Sequence, residues 1–237
     1  MKIRWEKRLK WMRISTVSII VLLILLTFFA GFTIYGNKVG NFVINVKNEE
    51  LNLSLSVYEN LSVQTERLTF DGVSALGDNS YGLLPNDISG KGLGNLSEKS
   101  AYAAYGFYLI NNSYRDVDYV MDLKIVDVVK DPLPIIRIML IEGENDTFDK
   151  GNRIFALKEE TEEGERHLKK QLETILYYET EYFDVENGKI FSIKVRDLKK
   201  GGSQKYTLVM WIEGCDIECV NERLGSRIKL QLDITGY

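Results

Sequence analysis

The chain has 237 residues, 45% hydrophobic and 27% charged, enough for one good-sized domain or two small ones and too apolar for a disordered chain. Its formal net charge of −4 hides an asymmetry: residues 1–13, MKIRWEKRLKWMR, carry six Lys/Arg against one Glu, a net of +5 that leaves −9 for the remainder. A basic tip on an acidic body lacks the basic face that phosphate contacts need, which excludes nucleic acid as the main partner.

Between Arg13 and Lys38 there is no charged residue. Residues 14–37 (ISTVSIIVLLILLTFFAGFTIYGN) would span ~36 Å as a helix, more than the ~30 Å hydrocarbon core of a bilayer. The expectation is an uncleaved transmembrane signal-anchor helix. A cleaved signal peptide is the competing reading, but its apolar core is shorter, and a cut near Ala30 or Gly31 places Phe28 or Phe29 at the −3 position, where small residues belong. The basic residues before the span put the cytoplasmic tip at 1–13 and the rest, 38–237, outside. The lipid bilayer is therefore the first expected partner, through residues 14–37. The expected location is the plasma membrane, crossed once.

After the span the hydrophobic period changes to two. FVINV and LNLSLSV place Phe42, Ile44 and Val46, then Leu51, Leu53, Leu55 and Val57, on single faces, and Lys47 to Glu50 between them reads as a hairpin turn. Residues 71–100, rich in Gly, Asn, Ser and Asp, read as a long surface loop. Further strands are expected at 102–110, 118–129, 135–141, 152–157, 189–196 and 205–213, the last apolar on both sides and so placed mid-sheet. The closing strand alternates Ile228, Leu230, Leu232 and Ile234 with Arg227, Lys229, Gln231, Asp233 and Thr235, one buried face and one wet one. Residues 158–180 break this pattern: Leu168, Leu172, Ile175 and Leu176 form a helical stripe, with Glu162–Arg166 and Glu165–Lys169 as supporting pairs. The fold class expected is mainly β, an antiparallel β-sandwich, jelly-roll or Ig-like, with one inserted amphipathic helix and the N-terminal transmembrane helix.

Catalytic chemistry finds few partners here. The single histidine, His167, is flanked by charges on the expected helix, and no G-x-S-x-G or H-E-x-x-H pattern is present. Ser89 to Asn95 (SGKGLGN) lacks the strand and helix start that a phosphate loop requires, and Glu142 to Asp149 (EGENDTFD) does not follow calcium-loop spacing. The expectation is no enzyme, no catalytic or metal site and no cofactor.

The two cysteines, Cys215 and Cys219, lie four positions apart. Outside a membrane they meet an oxidising environment, which favours a disulfide. An extended strand would hold their Cα atoms ~13 Å apart, too far to bridge. Asp216 as N-cap, a short helix over 217–224 and Gly225 as its stop would bring them together. Free thiols and bridges between chains are the alternatives.

YGNKVGNFVINV directly after an apolar segment, and KYTLVMWIEGCDIECVNERLGSRIKLQLDI near the C-terminus, resemble the TasA/camelysin type of exported surface proteins of Gram-positive bacteria. Trp211, Glu213, Gly214, Asp216, Cys219 and Gly225 carry the C-terminal part of this resemblance, and NDISGKGLG and YGFYLINNS resemble the group's early loop and following strand. The resemblance implies a jelly-roll-like sandwich and, for fibre-forming members of the biofilm matrix, a first strand that completes the next subunit's sheet. The insertion 158–180 is not part of that pattern.

The function expected is accordingly structural or adhesive, at a bacterial cell surface. Phe42, Ile44, Val46, Leu51, Leu53, Leu55 and Val57 are the strand-addition candidates, and a second copy or a related surface protein is the expected partner. The alternative is a ligand-binding ectodomain for wall polymer or surface glycan, using the 71–100 loop with Tyr81, Tyr102 and Tyr105.

Overall fold

The computed structural model describes residues 16, 18–27, 42–47, 51–70, 78–79, 94–97, 102–143, 153–158, 180–213 and 220–237. The chain divides into two units, Met1–Asn41 and Phe42–Tyr237. In the first, residues 18–27 are helical, Ile19 to Leu26 are exposed, and the Thr27 hydroxyl donates to the carbonyls of Leu23 and Ile24 at 3.0 and 2.9 Å. Among the described residues no helix is long and apolar enough to cross a membrane.

The second unit is mainly β. In chain order its strands are β1 (Phe42–Lys47), β2 (Leu53–Ser56), β3 (Arg67–Phe70), β4 (Asp78–Asn79), β5 (Gly94–Ser97), β6 (Ala103–Asn111) and β7 (Val117–Val129). There follow β8 (Ile136–Glu142), β9 (Arg153–Ala156), β10 (Thr180–Tyr182), β11 (Lys189–Leu198), β12 (Ser203–Glu213) and β13 (Arg227–Gly236). One sheet runs β11-β7-β13-β1-β3 and the other β10-β9-β8-β12-β6-β2. β5 continues the line of β2 along the same edge of β6, and β4 pairs with the far end of β12.

The two sheets share one core because the long strands of each offer it an apolar face. Phe42, Ile44, Tyr119, Met121, Leu123, Ile193, Leu232 and Ile234 of the first sheet meet Leu53, Leu55, Phe107, Leu109, Ile138, Leu140, Phe155 and Leu208 of the second. Phe155 and Phe191 join them ring to ring at 4.7 Å, and the hydroxyls of Tyr119 and Tyr206 hydrogen-bond across the gap. β12 lies mid-sheet, as its two-sided apolarity requires, and is buried on both faces together with β6 and β8. Arg137, on the second face, is accommodated there by donating to the Pro134 carbonyl at 2.7 Å.

Several sequence expectations are corrected. β1 and β2 do not form a hairpin: they belong to different sheets, and the polar stretch after Lys47 carries the chain from one sheet to the other. Sheets pack ~10 Å apart, a distance that the six steps from Lys47 to Leu53 easily cover, so each strand can bury its own apolar face on opposite sides of one core. Nor is β1 an edge, since β13 and β3 flank it. The sheets are not wholly antiparallel, because β1–β13, β9–β10 and β4–β12 pair in parallel.

The 71–100 stretch is not only loop, since β4 and β5 lie within it. The expected helix over 217–224 is reduced to a 3-10 turn at Asn221–Arg223 among the described residues, while Gly225 adopts the left-handed φ of +75° foreseen for a stop. Asp233, on the face read as wet, is buried. The inserted helix over 158–180, with His167, falls almost wholly outside the described residues, and Thr180 already belongs to β10.

Candidate functional site: the slot of the first strand

β1 alternates β-branched and aromatic residues with polar ones, which suits a pleated strand with one buried side. Its register is Val43 to Lys47 beside Gln231 to Thr235 of β13, and Phe42 to Asn45 beside Phe70 to Arg67 of β3. The Phe42 ring stacks on Phe70 at 6.0 Å and lies tilted 4.7 Å from Tyr105, and Phe70 stands 5.6 Å from Tyr105, so the strand begins in an aromatic cluster between the sheets. Burial pushes the Tyr105 hydroxyl up to about 12. Ile44 and Val46 continue the buried side.

The polar side of β1 converges on one carboxylate. Asp233 is 3% exposed, and its two oxygens accept from Lys124 at 2.6 Å, Gln231 at 2.8 Å, Lys47 at 3.1 Å and Asn45 at 3.4 Å. Burial alone would raise its pKa, but the bonds from Lys124, Gln231, Lys47 and Asn45 outweigh burial and hold it down at about 2. Beside it, Asp122 is also lowered: burial acts upward, and Ser192, Lys189 and Lys124 together act downward. Lys189 closes on Asp122 at 3.0 Å. β1 thus supplies two of the four partners that keep Asp233 ionised.

A second polar group lies between the sheets. Tyr119 is raised to about 12 by burial, with Glu142 adding to the rise and Tyr206 opposing it, and Tyr206 is raised further still by burial and by Tyr119. Glu142 is raised by burial against the pull of Arg153, whose guanidinium is held by Glu181. Among the described residues no group of three His, Cys, Asp or Glu side chains is placed to hold a metal ion.

The structure brings together part of what the sequence nominated. Phe42, Ile44 and Val46 line the slot, whereas Leu51, Leu53 and Leu55 are buried where β2 pairs with β6, and Val57 packs partly against the same core. Tyr102 and Tyr105 are 2% and 3% exposed, so neither offers a face to an outside ligand. Tyr81, Cys215 and Cys219 lie outside the described residues. Sequence reasoning missed Asp233, Lys124 and Lys47 as a unit, because their only signal was a carboxylate in an alternating strand, and a parallel neighbour such as Asn45, 188 positions away, cannot be read from alternation. No family model matches the chain, and neither a curated protein nor a solved structure does.

Proposed function

We propose that this chain is a single-pass, membrane-tethered cell-surface protein with a structural or adhesive role, and that β1 is the segment by which copies join. The observation that carries the reading is the way β1 is held. It belongs to no hairpin, and one short crossing leads from it to β2 in the other sheet, so pairing and side chains alone keep it between β13 and β3. All copies of the chain have the same β1. A slot shaped for Phe42, Ile44, Val46 and Lys47 therefore accepts the strand of a neighbour as well as its own.

The uncharged run 14–37 behind the basic residues 1–13 supports outward placement, and the two-sheet body supports a jelly-roll-like sandwich. Both agree with the resemblance to TasA/camelysin-type proteins, in which a first strand completes the next subunit's sheet.

The test compares residues 38–237 with a chain starting at Leu51, by light scattering and negative-stain imaging, with a synthetic peptide of residues 38–50 added back. Growth that needs β1, and uptake of the peptide by the shorter chain, are the expected results. A longer chain that stays monomeric at every concentration, beside a shorter one that ignores the peptide, would end the proposal.

A further inference from the structure

Of the four groups that donate to Asp233, two belong to the walls of the slot and two arrive with the strand. Lys124 on β7 and Gln231 on β13, at 2.6 and 2.8 Å, stay in place when β1 leaves. Asn45 and Lys47, at 3.4 and 3.1 Å, go with it. The carboxylate is thus half satisfied by its own sheet and completed by whichever strand enters.

The apolar side of β1 cannot decide which strand that is. β11, in the same sheet, repeats it: Phe191, Ile193 and Val195 precede Arg196 as Phe42, Ile44 and Val46 precede Lys47. The outward side differs. Val43 lies between Gln231 and Thr69 and is 4% exposed, and Asn45 lies between Asp233 and Arg67. A strand of the β11 pattern would set a serine in the place of Val43 and a lysine in the place of Asn45. The first buries a hydroxyl, and the second puts an ammonium directly beside the Arg67 guanidinium, where like charges facing each other destabilise pairing. Asn45 donates to Asp233 without adding that charge. Register is read in the same way. A slip of one residue turns the apolar side outward. A slip of two sets either Val43 against Asp233 or Lys47 beside Arg67.

We infer that Asp233 is the specificity-determining residue of strand exchange: with Arg67 across the slot, it admits a strand that brings a neutral donor at position 45 and a cation at position 47, and so selects a second copy of this chain. The inference rests on the reading of β1 as the joining segment and adds what that segment must carry. An acid at position 47 would bring another carboxylate to Asp233, whose neighbour on β7, Asp122, is a carboxylate already. Selection therefore comes from repulsion of the wrong strand as much as from pairing with the right one. Its four donors hold Asp233 at about 2, so it is ionised and selective throughout the neutral range.

The test uses mixtures of full chains, with Cys215 and Cys219 replaced by serine, in detergent micelles and a glutathione redox buffer, so that disulfide yield reports an equilibrium. One chain carries Val43→Cys and the other Thr69→Cys, positions that lie side by side in β1 and β3. A covalent heterodimer records the β1 of the first chain in the slot of the second. Both cysteines placed in one chain, closing internally, verify that each variant folds. With Lys47→Glu added to the first chain alone, every slot keeps Asp233 and exchange relieves nothing, so the yield is expected to match the unaltered mixture. With Asp233→Asn added to the second chain as well, exchange frees the acidic strand from Asp233 and brings the basic strand to it. The yield is then expected to rise about tenfold. A rise of the same size with Lys47→Glu alone would show that loosening of β1 drives exchange, and would refute the selection. Equal yields in all three mixtures would refute it too, with exchange itself left standing. If no mixture gives a heterodimer while the internal bridge closes, the exchange reading fails and the inference falls with it.

Discussion

Replacing Asp233 by asparagine removes one charge from a group whose four partners, Lys124, Gln231, Lys47 and Asn45, are all donors. An amide offers one accepting oxygen in place of two, so its NH2 must face a donor whichever way it is turned. A carboxyl held at about 2 in the folded chain and near 3.9 when unfolded contributes about 2.5 kcal/mol at neutral pH. Lys47 and Lys124 are 53% and 34% exposed, and solvent screening of such partners reduces the figure to about 1–2 kcal/mol. The folded pKa is the lower of the two, so the native state binds fewer protons than the unfolded chain between them. The contribution is therefore complete above pH 4 and is lost as pH falls toward 2. Urea unfolding of residues 38–237 and of the Asp233→Asn variant, at pH 7, 4 and 2.5, reads this directly. The variant is expected to be less stable by that amount at pH 7, and the gap to narrow at pH 2.5. A gap that is absent at pH 7, or that stays constant down to pH 2.5, would refute the assignment of Asp233 as the ionised anchor of β1.

Three further substitutions probe the packing around the slot. Phe42→Ala empties the aromatic cluster with Phe70 and Tyr105 and should cost about 3–5 kcal/mol, with the amides of β1 losing hydrogen-exchange protection first. Gly236→Ala would place a Cβ 2.8 Å from Leu51 Cδ1, 3.0 Å from Leu53 Cδ1 and 3.3 Å from Val117 Cγ1, and overpacking of about 1–3 kcal/mol should lower Tm. Tyr206→Phe leaves the buried Tyr119 hydroxyl without its cross-sheet partner and should lower the urea midpoint by the equivalent of about 1–3 kcal/mol.

Much of the strand content was legible because alternation is a local signal. The apolar faces of 228–234 and of 42–46 name β13 and β1 correctly, and the two-sided apolarity of 205–213 correctly places β12 in the middle of its sheet. Pairing was not legible. The hairpin expected between β1 and β2 rested on nearness in sequence and a polar turn, yet a crossing between sheets satisfies the same residues. β3, β4, β5 and β10, of two to four residues each, are too short for periodicity to register and form on edges that longer strands already provide. Tyr102 and Tyr105, two of the tyrosines nominated for a ligand, are core residues, because an aromatic beside a polar loop reads the same whether it faces in or out. Asp233 illustrates the same limit from the polar side: burial by two lysine side chains from flanking strands is a property of the sheet order, not of the strand.

The aromatic and the ionic contacts of the slot meet on a single strand. β1 follows the uncharged stretch in sequence, fills the middle of a sheet, and places its polar side on Asp233. On the proposed reading, a copy that lends β1 to its neighbour keeps the same aromatic and ionic contacts, so exchange leaves the enthalpy of the slot nearly unchanged and concentration decides between closed and joined forms.

The most direct measurement of that claim is a mixed-chain cross-link at the Lys47–Thr235 pair, which lies side by side in β1 and β13. With Cys215 and Cys219 replaced by serine, one chain carries Lys47→Cys and the other Thr235→Cys, and the mixture is oxidised at high protein concentration. A covalent heterodimer, formed only when both chains are present, is the predicted result. If a bridge forms only within a chain carrying both substitutions, and never between the two single variants, β1 stays in its own slot and copies of this chain do not join by strand exchange.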